Sequence, residues 1–287
     1  MPDIEKVGLI SKPHTSKAAE VVPALVDWLS ARGLSLRIDE ATAAYAGKPD
    51  GIVRERVPEG CQLVIVLGGD GTLLSAARAV GGREIPIFAV NLGGLGFLTA
   101  ITVDEIYPAL DGVLRGEVRT SLRRMLGCEL LRGDQTVSTY EALNDIVFSK
   151  ASIARMIDLE TWSDAQLVCR YKADGLVVST PTGSTAYSLS AGGPIVFPTV
   201  ECLCLTPISP HTLTNRPVIV PGASVIRVRN LAADGDAYLT IDGQVGEPLR
   251  RGDVVVCRSS SHSVHLIRPM KLHFFDVLRE KLKWGER

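Results

Sequence analysis

The stretch Leu63-Val64-Ile65-Val66-Leu67-Gly68-Gly69-Asp70-Gly71-Thr72, continued by Leu73-Leu74-Ser75-Ala76-Ala77-Arg78, decides how the rest of the chain is read. Five apolar residues without alternation mark a strand covered on both faces. Thr72 onward reads as a helix, so three glycines and Asp70 fall in the turn between. Glycines accept positive φ and let a ligand approach bare backbone, and the free N–H groups of a helix start favour an anion by ~0.3–1 kcal/mol. The turn is therefore a candidate phosphate cradle. The cradle does not explain Asp70, because a carboxylate ~4 Å from a phosphate oxygen is repelled by about 1 kcal/mol in water and by more inside a protein. Two tasks fit it: holding a divalent cation that bridges phosphates, or accepting a proton from an attacking hydroxyl. The plain alternative is a helix-capping Asp in a tight turn.

Working outward, Lys6 to Ser11 reads as a strand, Ser16 to Arg32 as an amphipathic helix closed by Gly33, and Leu34 to Ile38 as a second strand. The polar stretch from Glu40 to Glu59, broken by Pro49, Gly51 and Pro58, reads as a mobile loop with a short helix. Ile85 to Val90 is another buried strand. It runs into Asn91-Leu92-Gly93-Gly94-Leu95-Gly96-Phe97-Leu98, a second glycine-rich turn. In an open α/β sheet, two such turns at strand carboxyl ends face one ligand crevice; tight chain reversal is the competing explanation for the second. Val103 to Arg115 is helical. From Thr120 the period shortens, with strand-like runs at Met125 to Leu131, Thr136 to Tyr140, Asp158 to Trp162, Gln166 to Arg170, Val218 to Val220, Ser224 to Val228, Ala237 to Ile241 and Val254 to Cys257. The turn signals Gly133-Asp134, Gly235-Asp236 and Asp242-Gly243 separate them, which indicates a mainly-β region. His273 to Lys283 places Phe274, Val277, Leu278 and Leu282 at helical spacing.

The expected fold is an α/β N-terminal domain with a Rossmann-like open sheet at 1–119 and a mainly-β domain at 120–268. A C-terminal helix at 269–287 returns to the first domain. With 287 residues the chain can bury roughly three quarters of its unfolded surface, enough for two modest domains. A 46% apolar content excludes disorder, 5% aromatic residues leave little for stacking along nucleic acid, and a net charge of −1 offers no basic footprint. The six cysteines are scattered without a CxxC pair and sit mostly in apolar runs, as buried free thiols do in a reducing compartment. The N-terminal residues carry no signal-peptide core and no apolar run reaches ~18 residues, so a cytoplasmic enzyme is expected, with no membrane and no nucleic-acid partner.

A second unusual stretch runs from Tyr171-Lys172-Ala173-Asp174-Gly175 through Ser179-Thr180-Pro181-Thr182-Gly183-Ser184-Thr185-Ala186-Tyr187-Ser188-Leu189-Ser190 to Gly192-Gly193-Pro194. An apolar strand ends in a hydroxyl-rich turn. A short helix beginning near Ser184 would present free N–H groups beside several hydroxyls, a surface suited to sugars and phosphates; ordinary capping is the competing reading for any one of them.

On these residues the sequence resembles the NAD kinase family, bacterial type. Its members are ATP-dependent enzymes that phosphorylate the 2′-hydroxyl of the adenosine ribose of NAD to give NADP. Gly68-Gly69-Asp70-Gly71-Thr72 is also similar to a turn in diacylglycerol and sphingosine kinases and 6-phosphofructokinases, whereas Asp174 to Pro194 is far more specific. Ala142-Leu143-Asn144-Asp145-Ile146-Val147 and Ile241-Asp242-Gly243-Gln244 add to the likeness, which spans about residues 60–250. The resemblance implies Asp70 as the base for the ribose hydroxyl, with backbone contact from Gly71. Asn144 and Asp145 would hold a ribose and adenine of NAD. Arg155, Lys172 and Asp174 would lie around the nicotinamide half and the phosphates, and Thr185, Ala186, Tyr187, Ser188, Leu189 and Ser190 around the adenosine. Gln244 would close the site. The family commonly has Asn-Glu where this chain has Asn144-Asp145, a carboxylate one methylene shorter. The resemblance also implies ATP and a divalent cation, Mg²⁺, whose ligands it leaves unknown, and a homo-oligomer, tetramer or dimer.

Phosphoryl transfer asks mainly for alignment and charge neutralisation, and the chain has no GxxxxGK[ST] loop to supply them otherwise. The alternatives are a lipid or sugar kinase using the same turn, for which no membrane-facing patch stands out, and a non-catalytic NAD(P)-binding regulator. A dehydrogenase is disfavoured because no GxGxxG follows the first strand. His262 and His265 would lie on opposite faces of a strand, which argues against a metal site, and His211 reads as structural.

Overall fold

Why the chain folds as it does is clearest at residues 63–68, where six successive residues are all buried. The computed structural model describes residues 4–151, 155–233, 236–269 and 273–285. The chain divides into two compact units, Met1–Leu122 with Ser263–Arg287, and Arg123–His262.

In the first unit, β1 (Lys6–Ser11), α1 (Ser16–Ser30), β2 (Ser35–Ile38), α2 (Glu40–Tyr45), β3 (Leu63–Gly68), α3 (Asp70–Val80), β4 (Ile87–Asn91) and α4 (Ile106–Leu114) follow one another. The strands pair in parallel in the order β2-β1-β3-β4, the expected open sheet. The core joins α1 residues Val22, Leu25 and Leu29 to Leu9, Ile65 and Phe88 of the sheet. Two expectations are corrected here. The helix after the glycine-rich turn begins at Asp70 and not at Thr72, because extended Gly69 serves as its N-cap and an acidic residue in the first turn complements the free N–H groups. The 40–59 stretch is pinned and not loose. The Asp39 carboxylate caps α2 by accepting from Thr42 N–H at 2.9 Å. Arg54, in a 3-10 turn, pairs with that carboxylate at 2.8 Å and also donates to the Ser11 carbonyl and the Ser75 hydroxyl.

The second unit is mainly antiparallel β. Its elements are β5 (Arg119–Arg132), β6 (Gln135–Ala142), β7 (Asp145–Lys150), β8 (Ile157–Ser163), β9 (Gln166–Ala173), β10 (Gly175–Ser179), α5 (Tyr187–Ser190), β11 (Cys202–Ile208), β12 (Val218–Pro221), β13 (Ile226–Asn230), β14 (Ala237–Ile241), β15 (Val245–Leu249) and β16 (Val254–Arg268). One sheet runs β12-β11-β10-β7-β14-β15. Its buried face, with Phe148, Leu176, Val178 and Leu239, packs on Leu159, Val228 and Cys257. The sequence left out β7, β11 and β15 as separate strands and treated β5 and β16 as short. At β7 and β11 the apolar run is interrupted: Asp145, Ser149 and Lys150 leave β7 only three apolar residues in a row, and Thr206-Pro207 cuts into β11. Of the expected turn Gly235-Asp236, Gly235 lies outside the described residues.

β16 pairs with β13 through Val254–Cys257, and further along Leu266 pairs in parallel with Ile87 of β4. The return to the first unit therefore starts at Ser263, before the expected 269, and α6 (Phe274–Leu282) follows with Val277 and Leu278 buried. Among the described residues no helix is long and apolar enough to cross a membrane. All six cysteines are free, Cys169 half-buried and the others buried.

Candidate active site

In the first unit the two glycine-rich turns are laced together through Asp70. Its Oδ2 accepts the Phe97 N–H at 2.9 Å, and its Oδ1 accepts the Leu98 N–H at 3.2 Å, the Thr99 N–H at 3.0 Å and the Thr99 hydroxyl at 3.0 Å. The Leu92 N–H reaches back to the Gly68 carbonyl at 3.3 Å. Asn91 shapes the second turn by accepting from Gly93 N–H and donating to the carbonyls of Gly94 and Thr99. Two glycines are needed by contact. A Cβ on Gly96 would stand 2.2 Å from Asp70 Oδ1, and one on Gly68 would stand 2.3 Å from the Thr72 hydroxyl. Gly71, the second helical residue, is exposed at the helix start.

In the second unit a cleft of about 340 Å³ is lined by Asn144, Asp145, Ala186, Tyr187, Thr240 and Asp242 among others. Of the residues expected to hold the dinucleotide, four meet there: Asn144, Asp145, Ala186 and Tyr187. Asp242 orders the floor. Its carboxylate accepts the N–H groups of Leu143, Asn144 and Asp145 at 3.0, 2.8 and 3.2 Å. It can do so because Asp242 and Gly243 both have positive φ and Gln244 N–H closes on the Ile241 carbonyl, a tight turn of the type favoured by Asp-Gly. The sequence marked Asp242-Gly243 as a turn but not as part of the site; the Asp-Gly signal was legible and its partner was not. Asp145 is buried, and burial followed by the nearby Asp242 charge pushes its carboxyl up to about 7. Among the described residues the amide oxygen of buried Asn144 has no hydrogen-bond partner, an acceptor left open for a ligand.

The hydroxyl-rich stretch departs from expectation. In place of one helix from Ser184 there is a 3-10 turn at Gly183–Thr185, a break at Ala186 with φ −101° and ψ −130°, and the single turn of α5. Most of its hydroxyls are spent inside the protein: Thr180 on the Leu143 carbonyl, Ser184 on the Pro181 carbonyl and Val196 N–H, Thr185 on the Thr182 carbonyl, and Ser188 on Thr206. They brace the wall of the cleft, where a Cβ on Gly183 would sit 2.0 Å from the Asn144 carbonyl. Leu189 is half-buried and Ser190 exposed, neither lining the cleft.

Other expected site residues also lie away from the cleft lining. Asp174 pairs with Lys150 at 2.6 Å, Lys172 is exposed on β9, Arg155 is exposed ahead of β8, and Gln244 is exposed on its hairpin. His262 pairs with Glu141 at 3.0 Å, and His211 gives its backbone N–H to the Lys172 carbonyl. Among the described residues no group of three or more His, Cys, Asp or Glu could hold a metal ion.

The sequence matches the models of the ATP-NAD kinase N-terminal domain over residues 7–118 and of its C-terminal domain over residues 143–269. The chain belongs to the NAD kinase family. It is 62% identical over 287 residues to an NAD kinase of Solibacter usitatus, each chain covered in full, and 46% identical to one of Geobacter metallireducens, covering 99% of this chain and all of that one. Among solved structures it is similar to yeast NADH kinase complexed with NADH, with a TM-score of 0.91 and 26% identity over all of this chain and 90% of that one. It also resembles an NAD kinase from Archaeoglobus fulgidus in complex with ATP, with a TM-score of 0.75 and 25% identity over 97% and 98%. As a member of the NAD kinase family the chain is a phosphotransferase acting on NAD.

Proposed function

We propose that the chain transfers the terminal phosphoryl group of ATP to the 2′-hydroxyl of the adenosine ribose of NAD, with Asp70 as the group that takes the hydroxyl proton. The observation that carries this role is the unequal loading of the Asp70 carboxylate, three donors on Oδ1 and one on Oδ2. Oδ2 keeps lone-pair capacity for a substrate hydroxyl while Oδ1 fixes the side chain. As the ribose oxygen bonds to phosphorus, the bond to the ADP oxygen breaks, that oxygen leaves with its electron pair, and the hydroxyl proton passes to Oδ2. The start of α3, where Gly71 is exposed, presents the positive end of the helix dipole to the negative charge of the phosphates.

Asn144 and Asp145 hold the dinucleotide through ribose hydroxyls and adenine, Tyr187 offers a ring face, and Ala186 leaves room for it. Thr185, Ser188, Leu189 and Ser190 support that wall. Arg155, Lys172 and Asp174 act on the nicotinamide half and phosphates, and Gln244 closes over the ligand. The complexes of the yeast protein with NADH and of the archaeal protein with ATP support both substrates here. The family resemblance supports a divalent cation such as Mg²⁺, an ion usually bound through one or two carboxylates, substrate phosphates and waters; among the described residues no cluster of three or more His, Cys, Asp or Glu forms a cage for it. When bound, the cation neutralises phosphate charge. Six free cysteines support a reducing, cytoplasmic setting, and the family resemblance supports a homo-oligomer, which light scattering tests.

The test is one coupled assay: protein, Mg²⁺, NAD and ATP form NADP. Dinucleotide binding without product from ATP overturns the reading.

A further inference from the structure

Arg268, the last residue of β16, is half-buried, and its guanidinium forks onto two successive carbonyls of the second glycine-rich turn. One arm donates to the Leu98 carbonyl at 3.1 Å and the other to the Phe97 carbonyl at 3.2 Å. The Phe97 carbonyl belongs to the same peptide group as the Leu98 N–H, and the Leu98 carbonyl to the same peptide group as the Thr99 N–H. Those two N–H groups are the ones that meet Asp70 Oδ1. Cation, two parallel peptide groups and anion therefore stand in series.

We propose that Arg268 is a positioning residue for Asp70, acting through the peptide groups 97–98 and 98–99. Donation to a carbonyl polarises the whole amide and strengthens what its N–H gives, by an order of 10–30% per bond. Each peptide dipole here has its positive end on the carboxylate and its negative end on the guanidinium. The fork holds both peptide planes in one orientation, so Oδ1 is saturated by fixed donors and Oδ2 is aimed. The sequence supplies parts suited to this. Gly96 leaves room for the carboxylate, since its Cβ would stand 2.2 Å from Oδ1, and the rigid planar fork of a guanidinium suits two adjacent carbonyls better than the single nitrogen of an ammonium. The pairing of Leu266 with Ile87 brings Arg268 beside the loop that follows β4. Burial lowers the Arg268 pKa and the charge of Asp70 raises it, so the two groups sense each other across the loop. A loop-bracing arginine with no bearing on Asp70 is the competing explanation.

The inference rests on the proposed role of Asp70, and the experiment keeps the two apart. Full-length Arg268→Gln, Arg268→Lys, Asp70→Asn and the Arg268→Gln/Asp70→Asn double variant are compared for kcat, KM for NAD, thermal unfolding and the amide proton shifts of Leu98 and Thr99. Arg268→Gln is expected to lower kcat about 10-fold with KM changed less than about 2-fold, and Arg268→Lys, which can reach one carbonyl, to fall between. The Leu98 and Thr99 amide protons move upfield. In the Asp70→Asn background the same substitution costs less than about 3-fold, since the group it serves is gone. Equal losses in both backgrounds, or unmoved amides, overturn the inference. If Arg268→Gln does not fold, Arg268→Lys alone decides: a lower kcat with shifted Leu98 and Thr99 amides is expected, and a kcat and amide shifts equal to the parent overturn the inference. Full turnover of Asp70→Asn overturns the base assignment instead, while the amide shifts still report whether Arg268 reaches that carboxylate.

Discussion

Asp145 is buried beside Asp242, and among the described residues only the Asp242 carboxyl of the two is met by backbone N–H groups, three of them. Burial and the neighbouring charge hold the Asp145 proton until about pH 7. The sign follows from proton counting. Between the ordinary carboxylate range near pH 4 and pH 7 the folded chain binds a proton that the unfolded chain has lost, so stability falls as pH rises through that window and the loss is complete above it. A displacement of this size corresponds to roughly 4 kcal/mol. Asp145→Asn, which carries no charge at either pH, is expected to flatten the dependence and to be more stable than the parent at pH 8 while differing little at pH 4. Urea unfolding at the two pH values checks it.

Asp70→Asn is expected to bind NAD within about 2-fold of the parent and to lose at least ~100-fold in turnover. The amide preserves shape and keeps an oxygen acceptor. It removes the charge that takes the proton and places two N–H donors where Oδ2 accepted from Phe97. Titration calorimetry beside the coupled assay separates the two effects.

Gly96→Ala puts a methyl 2.2 Å from Asp70 Oδ1 and 2.3 Å from the Thr99 hydroxyl, neither of which can give way without breaking the lacing of the two turns. The expected cost is about 1–3 kcal/mol of stability with a larger fall in kcat than in NAD affinity. Gly94→Ala, where a Cβ meets nothing within 4 Å, is the matched control and should leave stability within about 0.5 kcal/mol.

Arg54→Met should cost about 2–3 kcal/mol. Removing one partner of a buried pair commonly costs about 3–5 kcal/mol. Here Asp39, its side chain 3% exposed, keeps the Ser11 N–H, the Thr42 N–H and the Thr42 hydroxyl as donors, which places the loss below that range. Chemical unfolding measures it, and protease susceptibility of residues 40–59 should rise, since Arg54 ties that stretch to β1 and to α3.

Much of the architecture was legible because its signals are local. The apolar run of β3, the glycines after it, and Asp242-Gly243 each act on their own few residues, through burial on both faces or through positive φ. β7 and β11 were hidden because Asp145, Ser149 and Lys150 leave the first only three apolar residues in a row, and Pro207 reads as a strand breaker in the second. The helix start moved to Asp70 because capping by Gly69 is a backbone event that residue type only hints at.

What the sequence by itself determined is the strand-turn-helix around Asp70, the change from α/β to β texture, and the family. The tertiary structure alone decided what surrounds the carboxylates. Phe97, Leu98 and Thr99 lie 27 to 29 residues from Asp70, Arg268 lies 170 from Leu98, and Asp242 lies 97 to 99 from the N–H groups it accepts. Such partners meet through strand register, which is set by packing over the whole unit, so no window of sequence around an aspartate can say which amides will face it.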